Sequence, residues 1–540
     1  MANTKVENIV IVGGGTAGWV TALNLLQKTI NAQILVIASK DIPVIGVGEG
    51  TTAVFTELLE LPSGFIKIYE KEFLQETGST FKLGIIAKDW YNIGHTFTNP
   101  IGDEFENECG YPHRTYDYYR IYHIAKNIPY NGGLVSQLML NDKLPFLNIR
   151  KTCPYLWDAF GGETGKIDAR FNVRAMHMNA GLVGEFLKKK VLEHPRVDFI
   201  EGKVVDGIIN EDGTLRSVIT SDGQLVNGDL FIDSSGFQRI LIDNVYKNRW
   251  VDYSDQLLVN RAMPFWIEND ENTIIRNYTH SWAQKHGWMW QIPLQDRLGC
   301  GYVYSDLYTT PEEAQDEIEG VLGHKIEPRN DIKFDSGRVK DIWIKNVIST
   351  GLATGFVEPL EASSIHLTIL QINHFIEHYY SEHMDFNCQE NIDGYNSQIG
   401  TYWDKIKDWL VGHYASERTD TQFWIDASSE DRWSDDLKIL FKIWKTRMPR
   451  VNDYNAKSDH GGNFFGLGNS LWYNILMGMH LLDPELAEKE LKGFGLLEHS
   501  EHAFKLREGF VNWIIDNSNT SNNFYNNLLN NLEEYKRVGT

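Results

Sequence analysis

Residues Ile9–Gly18, with the sequence IVIVGGGTAG, join a short run of β-branched apolar residues directly to a glycine-rich turn. The run predicts a buried strand, and the residues after the turn predict a helix to about Lys28 and a second strand over Gln33–Ile37. The glycines fit the GxGxxG pattern, which allows a tight turn and brings the backbone close to a pyrophosphate at the helix N-terminus. Glycine-rich turns are common, but one placed between two such strands favours dinucleotide binding. The residues predicted to contact the nucleotide are Gly13, Gly15, Thr16, Ala17 and Gly18.

The second predicted strand lacks one part of this pattern. A dinucleotide-binding unit carries an acidic residue about 20 residues after the glycines, where it hydrogen-bonds the ribose. In this chain Ala38 and Ser39 stand at that place. Two interpretations remain open: Ser39 makes a weaker hydrogen bond to the ribose, or the nucleotide binds loosely.

Two further glycine-bearing segments could approach the same nucleotide. Gly46–Thr52, with the sequence GVGEGTT, includes Gly48 and Glu49, and Asp229–Gly236 reads as a buried strand that closes in a turn. The alternative interpretation of Gly46–Thr52 is an ordinary loop. Three such segments spread along the chain favour FAD, because FAD is long and touches several loops, whereas NAD needs only the first.

Composition excludes some classes of partner. The 540 residues, 62.0 kDa in all, hold 51 Lys and Arg against 73 Asp and Glu, and the net charge is −22. A charge of this sign and size disfavours nucleic acid and anionic membranes as main partners. No apolar run approaches the ~20 residues that a membrane helix needs, and no signal peptide precedes the first strand. We therefore expect a cytoplasmic protein.

The four cysteines, Cys109, Cys153, Cys300 and Cys388, are far apart and form no CxxC pair. This spacing predicts neither a metal site nor a disulfide framework, and it fits a reducing compartment.

The pattern along the chain changes near residue 364. Ile365, Ile369, Ile372 and Ile376 repeat at the spacing of one helix face, and the segments that follow read as helices with few strands. We predict a FAD-binding domain over residues 1–95 and 150–375, in which the insertion 96–149 contributes to the substrate side. Residues 376–540 are predicted to form a mostly helical C-terminal cap that binds substrate.

Four motifs follow one another along the chain: GGGTAGW at Gly13–Trp19, GVGEGT at Gly46–Thr51, GWMWQIP at Gly287–Pro293 and FVEPLE at Phe356–Glu361. Together they resemble the flavin-dependent halogenases of the tryptophan halogenase type, and the match covers roughly residues 5–375. The WxWxIP motif, within GWMWQIP, separates that family from its flavin monooxygenase relatives, so it is much more specific than GxGxxG. The resemblance implies an α/β fold with a glutathione-reductase/hydroxylase-like FAD-binding body.

The resemblance implies a reaction and two catalytic residues. In the family, FADH2 from a separate flavin reductase reacts with O2 to give a C4a-hydroperoxide, which oxidises halide to hypohalous acid. The matching lysine, Lys82, holds this oxidant beside an aromatic substrate, and the matching glutamate, Glu361, polarises it and takes the substrate proton. Taken without the family motifs, Lys82 reads as a solvated strand lysine and Glu361 as a carboxylate at a helix start.

Other positions carry expected roles through the same resemblance. Leu352 belongs to the cofactor-binding residues, and the backbone N–H groups of Ser363 and Ser364 correspond to the halide site. Trp288 and Trp290, with Ile292 and Pro293, correspond to the tunnel side of the flavin, although large alternating aromatic residues on a strand are usually core.

The chain departs from the family at the substrate. Ala362-Ser363-Ser364 replaces Ser-Thr-Gly, so the serine between lysine and glutamate is lost. Asn99-Pro100-Ile101-Gly102 replaces the His-x-Phe-Gly clamp for the indole, and the aromatic of the cap falls near Gly466-Leu467-Gly468. We therefore expect an electron-rich indole, phenol or similar arene rather than free tryptophan only. The alternatives are a flavin monooxygenase that hydroxylates an aromatic and a non-catalytic FAD-binding relative.

Overall fold

A computed structural model of the chain describes residues 4–42, 49–60, 66, 68, 70–101, 118–128, 133–144, 175–450, 453 and 469–530. The chain divides into two compact units, each assembled from three stretches of sequence. The first unit comprises Met1–Ser79, Met178–Ala262 and Ile332–Lys407. The second comprises Thr80–His177, Met263–Asp331 and Asp408–Thr540.

The first unit is built on a six-stranded sheet. Its first five strands are parallel and the last is antiparallel, in the order Val197–Glu201, Gln33–Ala38, Asn8–Val12, Leu230–Asp233, Val347–Ser349 and Trp343–Ile344. The strands predicted from the two β-branched runs are both present, and the helix between them spans Thr16–Lys28. Because parallel strands are covered on both faces, these runs are continuously apolar rather than alternating.

Smaller elements complete the first unit. An antiparallel sheet joins Val204–Ile209, Leu215–Thr220 and Leu225–Asn227, and another joins Trp250–Asp252, Gly337–Val339 and Gly355–Phe356. Two-residue strands lie at Thr4–Lys5, Glu49–Gly50, Ile332–Lys333 and His383–Met384. The helices are Ala53–Glu60, Glu70–Thr77, Ala180–Val191, Ser363–His378 and the first part of Gln389–His413.

The second unit contains a larger sheet. Its strands follow the order Arg261–Glu268, Arg297–Tyr304, Gly287–Pro293, Tyr278–Ala283, Gly84–Lys88 and Thr96–Pro100. Tyr278–Ala283 and Gly84–Lys88 run parallel. The helix Pro311–Leu322 packs Ala314 and Ile318 against one face of this sheet. It begins with a capping box, in which Thr310 and Glu313 each bond the backbone N–H of the other.

Helices make up most of the rest of the second unit. They are Tyr118–Ala125, Leu134–Leu140, Gln422–Ala427, Asp435–Trp444, Asn469–Gly478, Pro484–Gly493, Leu497–Asn517 and Ser521–Asn530. Short strands pair Thr80–Lys82 with Ala175–Met178, and Lys143–Leu144 with Asn519–Thr520. Over the described ranges, no helix is both long enough and apolar enough to cross a membrane.

The boundaries of the units differ from the predicted domains. The described residues 80–95, 175–177 and 263–331 were predicted in the FAD-binding domain but belong to the second unit. Residues 376–407 were predicted in the cap but belong to the first. The reason is strand pairing over long sequence separations. Gly84–Lys88 and Tyr278–Ala283 are neighbours in one sheet, so both belong to the second unit.

Candidate active site

The glycine-rich turn has the geometry that a pyrophosphate requires. Gly13 has a φ of +120°, and a Cβ at this position would overlap the carbonyl group of Ser234. A Cβ at Gly18 would overlap the carbonyl oxygen of Gly13, whereas a Cβ at Gly15 would meet nothing within 4 Å. Among the described residues no side chain caps the helix that begins at Thr16. The turn is therefore closed toward the protein and open beside the helix N-terminus, which is the kind of position at which proteins bind anions.

Three strand ends bring their loops to the same edge of the first sheet. The neighbouring parallel strands end at Val12, Asp233 and Ser349, and ligands of open α/β sheets bind at such carboxyl ends. The hydroxyl groups of Ser234 and Thr350 are 2.6 Å apart, which joins two of these loops. Leu352, a predicted cofactor-binding residue, follows Thr350 by two positions and is half-buried.

The turn after the strand Leu230–Asp233 is held by a buried carboxylate. Asp233 accepts hydrogen bonds from the N–H groups of Ser235, Leu241 and Ile242, at 2.8–3.0 Å, and from the Ser235 hydroxyl. Burial raises the pKa of Asp233, while these hydrogen bonds favour its ionised form. The Asp229–Gly236 segment thus takes a fixed shape beside Gly13.

The edge near Ala38 carries a carboxylate that the sequence pattern did not reveal. Glu201 is the register partner of Ala38 on the neighbouring strand, and its carboxylate accepts the N–H of Lys40 at 2.8 Å. The Ser39 hydroxyl accepts the N–H of Asp41 at 3.2 Å. An acid is therefore present at this strand end, but it comes from a strand about 160 residues away in sequence, far from the ~20-residue spacing of the motif.

The second glycine-bearing segment is described only in part, since Gly48 lies outside the described residues. Burial raises the pKa of the neighbouring Glu49 to about 7. Thr52, three positions after Glu49, begins a short chain of hydrogen bonds. The Thr52 hydroxyl is 2.7 Å from Nδ1 of His366, and Nε2 of His366 is 3.0 Å from the hydroxyl of Tyr402. This chain ties the end of the segment to the helix Ser363–His378.

The predicted halide-binding residues begin that helix. Glu361 is half-buried in the short turn Pro359–Glu361, and Ala362 takes a left-handed conformation with a φ of +53°. Ser363 is buried, and within the described part of the chain its hydroxyl has no hydrogen-bond partner. No described side chain caps this helix either. Its first N–H groups are thus available to an anion.

Lys82 lies in the second unit, at the end of the strand Thr80–Lys82. Its side chain is only 1% exposed, and its register partner is Ala175. Two positions earlier, the Thr80 hydroxyl donates to the carbonyl oxygen of Pro293 at 2.6 Å. Burial of the side chain excludes the interpretation of Lys82 as a solvated strand lysine, and the strand that carries it is bonded directly to the WxWxIP motif.

The WxWxIP residues are packed inside the second unit. Trp288, Trp290, Ile292 and Pro293 are all buried, and the two indole rings are 6.3 Å apart. Among the described residues, neither indole N–H has an acceptor. Both tryptophans thus belong to the core, yet they hold buried donors that a purely apolar core would not keep.

The position of the family's indole clamp is occupied by an amide pair. Asn99 is buried in the strand Thr96–Pro100 and accepts a hydrogen bond from Nδ2 of Asn474 at 3.0 Å. Gly102 and residues 466–468, which the sequence comparison with the family also singled out, lie outside the described residues.

The predicted site residues are shared between the two units. The first unit contains Glu361, Ser363, Ser364 and all the described cofactor-binding candidates, whereas the second contains Lys82 and the WxWxIP residues. In the described ranges, no group of three or more His, Cys, Asp or Glu side chains is arranged to hold a metal ion.

A glycine turn at the edge of a parallel sheet, with further loops at the neighbouring strand ends, is typical of dinucleotide-binding proteins of mixed α/β fold. The family model for tryptophan halogenases matches residues 8–490. The chain therefore belongs to the tryptophan halogenase family.

Individual relatives agree with this assignment. The tryptophan 7-halogenase RebH of Lentzea aerocolonigenes is 30% identical to this chain, over 89% of it and 92% of the relative. The tryptophan 6-halogenase ThaL of Streptomyces albogriseolus is 29% identical, over 90% and 92%. Among solved structures, the flavin-dependent halogenase Xcc4156 from Xanthomonas campestris superposes with a TM-score of 0.80 at 25% identity, over 97% of this chain and 99% of that one.

Membership of this family confirms several expectations. The chain has the mixed α/β fold of the flavin-dependent halogenases, and it is a flavin-dependent enzyme of aromatic halogenation. Enzymes of this family use FADH2, O2 and halide, and they need a separate flavin reductase and an aromatic substrate.

Proposed function

We propose that this enzyme halogenates an electron-rich arene, with Lys82 as the residue that holds hypohalous acid. The observation that carries the proposal is the burial of Lys82 on a strand bonded to Pro293 of the WxWxIP motif. Withdrawing an ammonium group from water is costly, and lysine is almost never fully buried without a specific reason. The reason that we propose is a role in the reaction, because the strand that ends in Lys82 is bonded to the family's defining motif.

We propose that the first unit is the FAD-binding body. Gly13, Gly15, Thr16, Ala17 and Gly18 fit the pyrophosphate, because the turn is open at Gly15 and no described side chain caps the helix that follows. The other proposed contacts with the cofactor are Ser39, Gly48, Glu49 and Leu352. Reduced FAD, when bound, supplies the activation of O2 through which halide is oxidised to hypohalous acid.

The remaining steps belong to side chains and backbone of this chain. The N–H groups of Ser363 and Ser364 hold the halide at a helix start that has no acidic residue in its first turn. Lys82 hydrogen-bonds the hypohalous acid and directs it to the ring. Glu361 takes the proton that the ring loses, as a general base. The buried indole N–H groups of Trp288 and Trp290 form part of the wall past which the oxidant travels.

We propose a substrate range wider than free tryptophan. The pair Asn99 and Asn474 occupies the place where an indole clamp is expected, and two amides bonded to each other offer no aromatic face for stacking. Discrimination is strong where a site holds polar groups made for one ligand, and weak where it does not. Indoles, phenols and similar arenes of different size are therefore proposed substrates, bound by the mostly helical part of the second unit.

The test measures oxygen uptake and halogenated product in the same reaction. The enzyme is supplied with FAD, a flavin reductase, NADH and bromide, together with a panel of indoles, phenols and tryptophan. We expect product from several arenes. Lys82→Met should lower product by orders of magnitude while oxygen uptake continues, and Glu361→Gln should lower it by roughly 10²-fold, as for a lost general base.

Lys88→Met is the matched control for the lysine variant. Lys88 lies on the next strand, and its ammonium group stacks over the Trp282 ring at 3.7 Å. This variant should halogenate like the parent. Full activity of Lys82→Met would refute the role of Lys82, and reaction of tryptophan alone would refute the wider range. Hydroxylated product would indicate a monooxygenase. No product, with oxygen uptake equal to that of an enzyme-free mixture, would indicate a non-catalytic relative.

A further inference from the structure

A chain of buried hydrogen bonds crosses the second unit beside Lys82. His177 lies on the strand Ala175–Met178 and is completely buried. Its Nδ1 is 3.2 Å from the hydroxyl of Thr80, and its Nε2 is 2.9 Å from the hydroxyl of Thr279. Thr80 in turn bonds the carbonyl oxygen of Pro293. Three strands, including the one that ends in Lys82, are thus linked through a single imidazole ring.

The direction of each hydrogen bond follows from the number of protons. Thr80 has one hydroxyl proton and donates it to the carbonyl oxygen of Pro293, which can only accept. The Thr80 oxygen must therefore accept from Nδ1–H of His177. A neutral ring then has a bare Nε2, which accepts the hydroxyl proton of Thr279. Burial lowers the pKa of His177 well below its usual value, and the charge of Lys82 lowers it further, so the ring is neutral.

The register of the strands places this ring close to the lysine. His177 is the partner of Thr80, and Lys82 follows two positions later, so the side chains of Thr80 and Lys82 leave the same face of their strand. Diagonal neighbours of this kind have their Cα atoms about 7–8 Å apart. The ring is bonded to Thr80, the first residue of a strand that has only three residues and ends in Lys82.

We propose that His177 is the positioning residue of Lys82. By bonding Thr80 it holds the short strand in place against Pro293, so that the lysine meets the oxidant in one geometry. A displacement of about 1 Å in a reacting group can cost 10²-fold in rate. The inference rests on the proposed role of Lys82, and it predicts that loss of the imidazole separates oxygen uptake from halogenation.

The experiment compares three variants with the parent enzyme. His177→Leu removes both hydrogen bonds, His177→Asn keeps an amide N–H near the place of Nδ1, and Thr279→Val removes only the far bond. We measure halogenated product per O2 consumed, at a temperature well below the thermal midpoint of each variant. We expect this ratio to fall at least tenfold in His177→Leu and to stay within about threefold of the parent in the other two.

Free FADH2 also reacts with O2 without the halogenase, so the oxygen uptake of an enzyme-free mixture is subtracted. The ratio then distinguishes positioning from a merely structural role, because a loss of folded enzyme lowers product and enzyme-dependent oxygen uptake together. His177→Leu with the parent ratio would overturn the inference. A tenfold lower ratio in His177→Asn would also overturn it. The asparagine variant and Thr279→Val therefore still test the inference if the leucine variant does not fold. If Lys82→Met itself keeps full activity, the proposed function fails instead, and that result is read independently of His177.

Discussion

Replacing His366 with glutamine should change how the stability of the protein depends on pH. The imidazole is hydrogen-bonded to the hydroxyl groups of Thr52 and Tyr402, and burial lowers its pKa from 6.5 to about 4. The unfolded chain therefore binds a proton near pH 6.5, whereas the folded chain does not bind it until about pH 4. The stabilisation is complete above pH 6.5 and is lost as the pH falls toward 4.

The two pKa values set the size of the effect. Linkage gives a loss of about 2 kcal/mol between pH 8 and pH 5, and about 3 kcal/mol by pH 4, for this one group. Glutamine does not titrate, so the loss is absent from the variant. At pH 8 the variant should be less stable by about 1–3 kcal/mol, because the half-buried Thr52 hydroxyl loses its partner.

The assay is urea unfolding of parent and variant at half-unit steps from pH 8 to pH 4.5. All other titrating groups are common to both proteins and cancel in the difference between their free energies of unfolding. This difference should shrink by about 2 kcal/mol between pH 8 and pH 5. A difference that does not change with pH would refute the reasoning, because it would mean that His366 is protonated equally in the folded and unfolded chains.

Two further predictions concern packing in the second unit. Gly301→Ala should destabilise the protein by about 1–3 kcal/mol, since its Cβ would overlap the indole of Trp290, and near-ultraviolet circular dichroism should change. Gly320→Ala, on the helix Pro311–Leu322 with nothing within 4 Å of its Cβ, is the control and should raise the thermal midpoint slightly. Tyr525→Phe removes the acceptor of the Phe81 N–H, 2.6 Å away, and should lower the free energy of unfolding by about 1–3 kcal/mol; an unchanged midpoint would contradict it.

Local patterns predicted the first unit well. The strands Asn8–Val12 and Gln33–Ala38 and the helix between them lie within a residue or two of the prediction. These elements are determined by β-branched runs and glycines that are adjacent in sequence. The domain boundaries were not predictable in the same way, because the parallel pairing of Gly84–Lys88 with Tyr278–Ala283 depends on contacts between residues almost 200 positions apart.

The candidate site was likewise predicted from the sequence only in part. Lys82, Glu361 and the glycine turn follow from motifs that can be read in order along the chain. His177 could not be found in this way, because a lone histidine on an apolar strand is usual in a core. Only its pairing with Thr80, 97 positions earlier, shows what the ring contacts. Glu201 was missed for the same reason, since its relation to Ala38 exists only in the sheet.

The charge of the chain explains how its proposed anion sites are built. A protein with a net charge of −22 that binds a pyrophosphate and a halide must screen them from its own carboxylates. The helices at Thr16 and Ser363 have no side-chain cap among the described residues and no acidic residue in their first turn. In contrast, the helix Pro311–Leu322 has a capping box and two glutamates in its first turn, which occupy the same N–H groups and dipole end. A carboxylate in the first turn of the helix at Thr16 or of the helix at Ser363 would compete with the ligand for the backbone N–H groups. In the described residues, the first turns of both helices thus leave backbone dipoles to attract the proposed anions, whereas Glu361, which precedes the second helix, takes the substrate proton in the proposed mechanism.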